Sequence, residues 1–196
     1  MIICDSHNFI FIHIPRTGGT SITELCEILQ LNIEKAFWQH THAGSEESAE
    51  IPFHEYTTFS FVRNPWDRIY SWYALFDKFN PRKEQETFSF EKFLVNYPRI
   101  ARNYGFDKDF SFNQVDYLRN GKGEFVTDFI GKYETYEQDV IHIFQKLGIE
   151  VTHIHRANAT NYPPYQTQYS DTTKKLVAEL CAEDIEYFGY EFDNNL

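Results

Sequence analysis

Cysteine is scarce in this chain: Cys4, Cys26 and Cys181 are the only three thiols in 196 residues, odd in number, far apart and without a C-x-x-C pair. That argues against a disulfide framework and a cysteine-based zinc site, and it fits a reducing compartment. Basic charge is also short. With 18 Lys and Arg against 29 Asp and Glu the formal charge is −11, so the electrostatic footprint of a general nucleic-acid binder is missing and any anionic ligand has to be captured locally. Long apolar runs are lacking too. The run Phe9–Ile14 is too short to span a bilayer, has no basic flank before it, and continues into Pro15-Arg16 rather than a small-residue cleavage site. The expectation is a soluble, cytoplasmic protein with no membrane span. With no internal repeat or low-complexity tract and a length that suits one sizeable core, residues 1–196 are read as a single domain.

Aromatic residues are what the chain has in excess: Phe, Tyr and Trp make up 18% of it, which favours large packing units and hydrogen-bonding phenols over a plain aliphatic core. Charge is unevenly spread. Residues 82–122 hold 8 basic and 6 acidic side chains, whereas 179–193 hold six acids and no base. The middle stretch is either a face for an anionic substrate or a solvated mixed-charge surface.

The order of elements carries the fold argument. Asn8–Ile14 is a continuous β-prone run, as expected of a strand buried on both faces of a parallel sheet. After a short glycine turn, Ile22, Leu25, Cys26 and Leu29 recur at helical spacing, and Ser21 with Glu24 has the form of a capping box. A second unit begins with the strand Thr57–Val62 and passes through Arg63 to Asn64-Pro65, an N-cap followed by proline at the first helical position. A third is the strand Phe129–Tyr133, with Thr135 and Gln138 capping a helix that ends at Gly148. Short helices are expected from Ser170 and near Asp184, with 151–169 an extended loop. Strands alternating with helices predict an α/β fold, in three layers around a mainly parallel central sheet flanked by helices.

Ligands of such folds gather at the carboxyl ends of the strands. Two segments follow strands there directly. In Pro15-Arg-Thr-Gly-Gly-Thr-Ser21 the glycines let several N–H groups converge at the positive end of a helix, a site for phosphate or sulfate, and Arg16, Thr17, Thr20 and Ser21 add a cation and hydroxyls. The alternative is a plain strand-to-helix turn. It is not a GxxxxGK[ST] loop, for it has no lysine before the hydroxyl, which disfavours an ordinary ATPase or kinase. In the second segment Arg63 leaves a strand and Ser71 lies two turns into the next helix, a spacing that lets both reach one phosphate.

The phrases Phe11-Ile-His-Ile-Pro-Arg-Thr-Gly-Gly-Thr-Ser21 and Phe61-Val-Arg-Asn-Pro-Trp-Asp-Arg68, with the Arg63-x7-Ser71 spacing, resemble the sulfotransferases that use 3′-phosphoadenosine 5′-phosphosulfate (PAPS). The branch most similar is the carbohydrate sulfotransferases. Ile130–Glu134 and the tail Asp184–Phe192 also resemble the family's wording. The resemblance implies a P-loop-type fold and transfer of the sulfuryl group from PAPS to an acceptor hydroxyl or amine, without a required metal. It implies that Arg16, Thr17, Gly18, Gly19, Thr20 and Ser21 hold the 5′-phosphosulfate, that Arg63 and Ser71 bind the 3′-phosphate, and that Tyr133 meets adenine. Arg16 stands where the family usually has lysine. It implies, too, a His or Glu that takes the acceptor's proton, and His42 is the first choice. Its rivals are His40, His54, Glu46 and Glu47.

The remaining candidates read more plainly. His153-x-His155 and His40-x-His42 lack a third metal ligand at recognisable spacing. His13 is expected to be a hydrogen-bonded core histidine, Arg68 either a further 3′-phosphate ligand or an exposed ion pair, and Arg156 with Asn158 a closure over the nucleotide. Two other readings stand beside the sulfotransferase: a divergent nucleotide or nucleoside kinase, and a non-catalytic module that binds PAPS or its product 3′-phosphoadenosine 5′-phosphate (PAP). The sequence names neither the acceptor nor the oligomeric state.

Overall fold

The computed structural model describes residues 1–36, 38–79, 89–103, 111–154 and 162–193, with the backbone alone for 79 and 97–103. Arg156, Asn158 and His155 lie outside the described residues. The chain divides into two compact units, one of residues 1–63 with 114–159, the other of 64–113 with 160–195.

The first unit holds a four-stranded sheet in the order β1 (Ile2–Cys4), β2 (Phe9–Ile12), β3 (Thr57–Val62), β4 (Phe129–Lys132). β1 pairs antiparallel to β2, and β2, β3 and β4 run parallel, with Phe11 opposite Phe59 and Phe61 opposite Gly131. The mainly parallel α/β sheet is as the sequence suggests. β1 was not foreseen, since three residues ending at Cys4 give too short a pattern to read. Both faces of β2 are shielded from water, which explains its unbroken apolar run.

One face builds the core. Phe9, Phe11, Phe59 and Phe61 alternate onto it and meet Ile22, Leu25 and Cys26 of helix α1 (Gly19–Ile28) and Tyr136, Val140, Ile143 and Phe144 of helix α5 (Tyr136–Lys146). Phe59 sits at the centre, its ring 5.1 Å from Phe11, 5.6 Å from Phe9 and 6.1 Å from Phe144, so the phenylalanine load is spent here on tilted and edge contacts. Cys26 lies in this core, where burial pushes its thiol up to about 12, too high for a nucleophile.

Two expected caps take a different form. α1 is capped by Gly18 at φ +93° with no side-chain bond, and Ser21 lies within the first turn, its N–H on the Gly18 carbonyl at 3.0 Å. The helix starts earlier than Ser21 because the two glycines admit a backbone that a capping serine is not needed to hold. At α5, Thr135 is the N-cap residue, yet its hydroxyl donates to Asp139 at 2.8 Å, and the same carboxylate oxygen accepts from the Lys132 N–H at 2.7 Å. The carboxylate out-competes Gln138 as the capping partner. Gly148, at φ +73°, ends the segment as read.

The second unit is helical: α2 (Pro65–Phe79), α3 (Phe90–Asn103), α6 (Asp171–Leu180) and α7 (Ala182–Phe188). Asn64 caps α2 as its sequence announces, accepting from the Trp66 N–H at 3.1 Å. Ser170 caps α6 in a reciprocal box with Thr173. Arg68 is not on the helix surface. It is 1% exposed and donates to the carbonyls of Phe112 at 2.7 Å and Ser111 at 3.0 Å, so it fastens the chain before Asn113. No helix among the described residues is long and apolar enough to cross a membrane. With the short helix α4 (Val115–Leu118) of the first unit, the described residues contain seven α-helices.

Candidate functional site

The carboxyl end of β2 leads into the loop 15–21. Arg16 adopts φ +68° and Gly18 φ +93°, and Thr17 between them does not. Alternation of left-handed and ordinary backbone turns successive N–H groups to one side, the arrangement that cups an anion. A left-handed Arg is costly, by about 1 kcal/mol, and here its carbonyl is held by the Arg63 Nη1 donor at 3.1 Å. The Thr17 hydroxyl donates to the Ile14 carbonyl at 2.9 Å, so its donor closes the loop and leaves its N–H for a ligand. Ser21 is buried, and its N–H is already on Gly18; Thr20 is half-buried at the first turn of α1.

Both glycines are required by close approach. A Cβ on Gly18 would lie 2.6 Å from the Tyr136 ring, and one on Gly19 would lie 2.0 Å from Cδ2 and 2.2 Å from Nε2 of His13. Tyr136 also donates its hydroxyl to the Gly18 carbonyl at 2.7 Å. Tyr136 is a site residue that sequence reading missed, for nothing in its local pattern links it to a loop over a hundred positions away.

Arg63 is 6% exposed. Its guanidinium lies 4.0 Å from the Tyr133 ring centroid, a stacked cation that is oriented by the ring as well as by the loop carbonyl. Its backbone is matched at both ends by Gln114, whose Oε1 accepts from the Arg63 N–H and whose Nε2 donates to the Arg63 carbonyl, each at 2.9 Å. The structure therefore brings Arg16, Gly18, Arg63 and Tyr133 together. Ser71 belongs to the second unit, where it is buried in the second turn of α2.

His42 lies tilted against the buried ring of Tyr117 with centroids 3.9 Å apart, and Ser48 donates to its carbonyl at 2.8 Å. His40 is closer to the loop's origin. Its Nδ1 lies 2.9 Å from the His13 carbonyl, which only accepts, so Nδ1 carries the proton and Nε2 is the acceptor, 2.8 Å from the Gln39 amide. The His40 ring meets His13 edge-on at 4.5 Å. Glu46, Glu47 and His54 are exposed. His153 is exposed beside Glu137 at 3.4 Å, and the described residues hold no group of three or more metal-ligating side chains.

His13 is 6% exposed. Burial first, then the charges of His40 and the amino terminus, hold its pKa well below 6.5. The unfolded chain binds this proton near pH 6.5 and the folded chain does not, so stability from this group is complete above about pH 6.5 and is lost as pH falls toward the folded value. Urea midpoints at pH 7.5, 6.0 and 5.0 are expected to fall more steeply for the wild type than for His13→Phe. Parallel curves would contradict it.

A cleft of about 650 Å³ lies between residues 43–56 and the turn 120–128. Tyr56 and Asp128, which line it, immediately precede β3 and β4, so it opens at the amino ends of the parallel strands.

The sulfotransferase family model matches residues 1–191 of this chain. Among curated proteins, an uncharacterized protein of Archaeoglobus fulgidus is 34% identical over 98 residues, covering 50% of this chain and 72% of its own. Carbohydrate sulfotransferase 10 of Homo sapiens is 24% identical across 97% of this chain and 67% of its own. Carbohydrate sulfotransferase 14 of Danio rerio is 24% identical across 99% and 63%. No solved structure gives a significant match.

Proposed function

The chain belongs to the sulfotransferase family, and on that premise we propose that it transfers the sulfuryl group of PAPS to a hydroxyl on a carbohydrate acceptor. The observation that carries the reading is the loop at the carboxyl end of β2, where left-handed Arg16 and Gly18 lead into the amino end of α1 and the glycines allow Tyr136 and His13 to pack against the loop. PAPS supplies a sulfuryl group already joined to a phosphate leaving group. Backbone N–H groups from Thr17 onward hold the anionic end, and the Arg16 side chain balances charge that develops there. Arg63 and Ser71, by their spacing in the sequence, are the proposed 3′-phosphate ligands, and Tyr133 the proposed adenine contact. No metal is required. Carbohydrate as the acceptor class rests on the relatives' names, and a three-layer P-loop-type fold forming one domain is part of the proposal. A cytoplasmic location is supported by three buried, unpaired cysteines.

His42 is the proposed proton acceptor: the hydroxyl proton passes to its ring nitrogen as the acceptor oxygen bonds to sulfur and the phosphate oxygen leaves. A specific observation favours His40 as a second reading, because its bond to the His13 carbonyl sets it at the loop's origin with Nε2 as the acceptor nitrogen, which the acceptor hydroxyl would have to take over from the Gln39 amide. The test is transfer of labelled sulfate from PAPS to a panel of oligosaccharides in chelator. Loss of the base is expected to lower kcat by roughly 100-fold or more with PAP affinity unchanged. A large loss in His42→Ala but not His40→Ala supports the first reading, and the reverse the second. Unchanged turnover in both variants removes this segment from the chemistry. PAP binding without transfer to any acceptor would favour a non-catalytic binding module.

A further inference from the structure

His13 is a polar side chain in the wrong place for a core residue. Its ring is enclosed by Phe11, stacked at 5.7 Å, by the edge of His40 and by the first residue of α1. Yet among the described residues no hydrogen bond reaches either ring nitrogen; the one bond His13 makes through its side of the site is by its backbone carbonyl. Among the described residues the fully enclosed polar side-chain atoms without a partner are the hydroxyls of Thr58 and Thr127, so the His13 nitrogens keep an accessible edge where buried imidazoles are normally partnered. The Cδ2–Nε2 edge faces Gly19, at the end of the helix where anions collect.

We propose that the His13 imidazole is a ligand-contacting group, its Nε2–H donating to the anion seated on the amino end of α1. The inference rests on the reading of the loop as the donor site and adds a residue to it. A neutral ring suits the task. The charges that face it are the amino terminus and, from the 38–42 segment, His40, and both oppose its protonation; the first turn of α1 offers Gly19, which carries none. A phosphate or sulfate oxygen at Nε2 would supply the missing acceptor and favour the protonated ring. PAP and PAPS share this chemistry at the 5′ end, and adenosine 3′-monophosphate lacks it.

The experiment is ¹⁵N NMR of the histidine rings, with His13 signals assigned by their loss in His13→Gln, during separate titrations with PAP, adenosine 3′-monophosphate and inorganic sulfate. PAP and sulfate are expected to shift the His13 Nε2 signal and raise its titration midpoint, and adenosine 3′-monophosphate is not. In calorimetry His13→Phe, which keeps a ring of similar size, is expected to bind PAP about tenfold more weakly, while His13→Gln, which keeps an N–H donor, recovers most of the loss. Bound PAP that leaves the His13 signals unmoved, or equal PAP affinity in wild type and His13→Phe, overturns the proposal. If sulfate moves His13 but PAP does not bind, the contact stands and the PAPS reading falls. If PAP does not bind and sulfate does not move His13, both fall.

Discussion

Gly19→Ala is expected to destabilise the protein by roughly 3 kcal/mol, at the upper end of what overpacking costs, and so to lower Tm by about 6–12 °C. The added methyl would lie 2.0 Å from Cδ2 of His13, well inside contact distance. That ring has little room to retreat, with Phe11 stacked on it and His40 against its edge. The same change pushes α1 off the carboxyl end of β2 and spoils the cradle, so PAP affinity falls with stability. A double variant separates the clash from other causes. If the methyl acts through the imidazole, Gly19→Ala with His13→Ala is less destabilised than the two single losses added together, since residues in contact do not combine independently. Additive losses would place the damage elsewhere in the loop.

The second large effect is Arg63→Ala. It removes the donor to the Arg16 carbonyl and the cation over Tyr133 together, and with them the support of a left-handed arginine. If Arg63 also meets the 3′-phosphate, the variant is expected to bind PAP about 10- to 100-fold more weakly, the range for a lost hydrogen bond to a charged group. Arg63→Lys keeps the charge but not the planar fork or the stacking, and is expected to recover only part of this loss. Adenosine 5′-monophosphate separates the roles. It lacks the 3′-phosphate, so an Arg63 that acts only by holding the loop weakens this ligand as much as PAP, whereas direct recognition weakens PAP more.

The loop and its strand were readable in the sequence because their signals are local. Phe9–Ile12, Thr57–Val62 and Asn64-Pro65 each declare themselves within a few residues, and the glycines of 18–19 mark a backbone that other residues resist. What escaped reading depends on distant partners. Ser21 and Glu24 satisfy the capping-box pattern, yet the helix begins at Gly19 because Tyr136 packs over Gly18 and His13 beneath Gly19. Gln114 gives no sign in its neighbourhood that it brackets the backbone of Arg63. His13 was expected to be a partnered core residue, and its orphaned ring is visible only once α1 is laid against it. Arg68 reads in sequence as a further 3′-phosphate ligand or an exposed ion pair, and the carbonyls of Ser111 and Phe112 hold it buried instead of exposed.

The most direct test of a sulfonucleotide site is calorimetric titration of PAP into the folded protein in the presence of a metal chelator, with ATP titrated in parallel. The account predicts micromolar PAP binding without metal and no binding of ATP, because a 5′-phosphate on the loop together with a 3′-phosphate at Arg63 is what the site is proposed to read. Absence of PAP binding, or binding of ATP that requires magnesium, would contradict it.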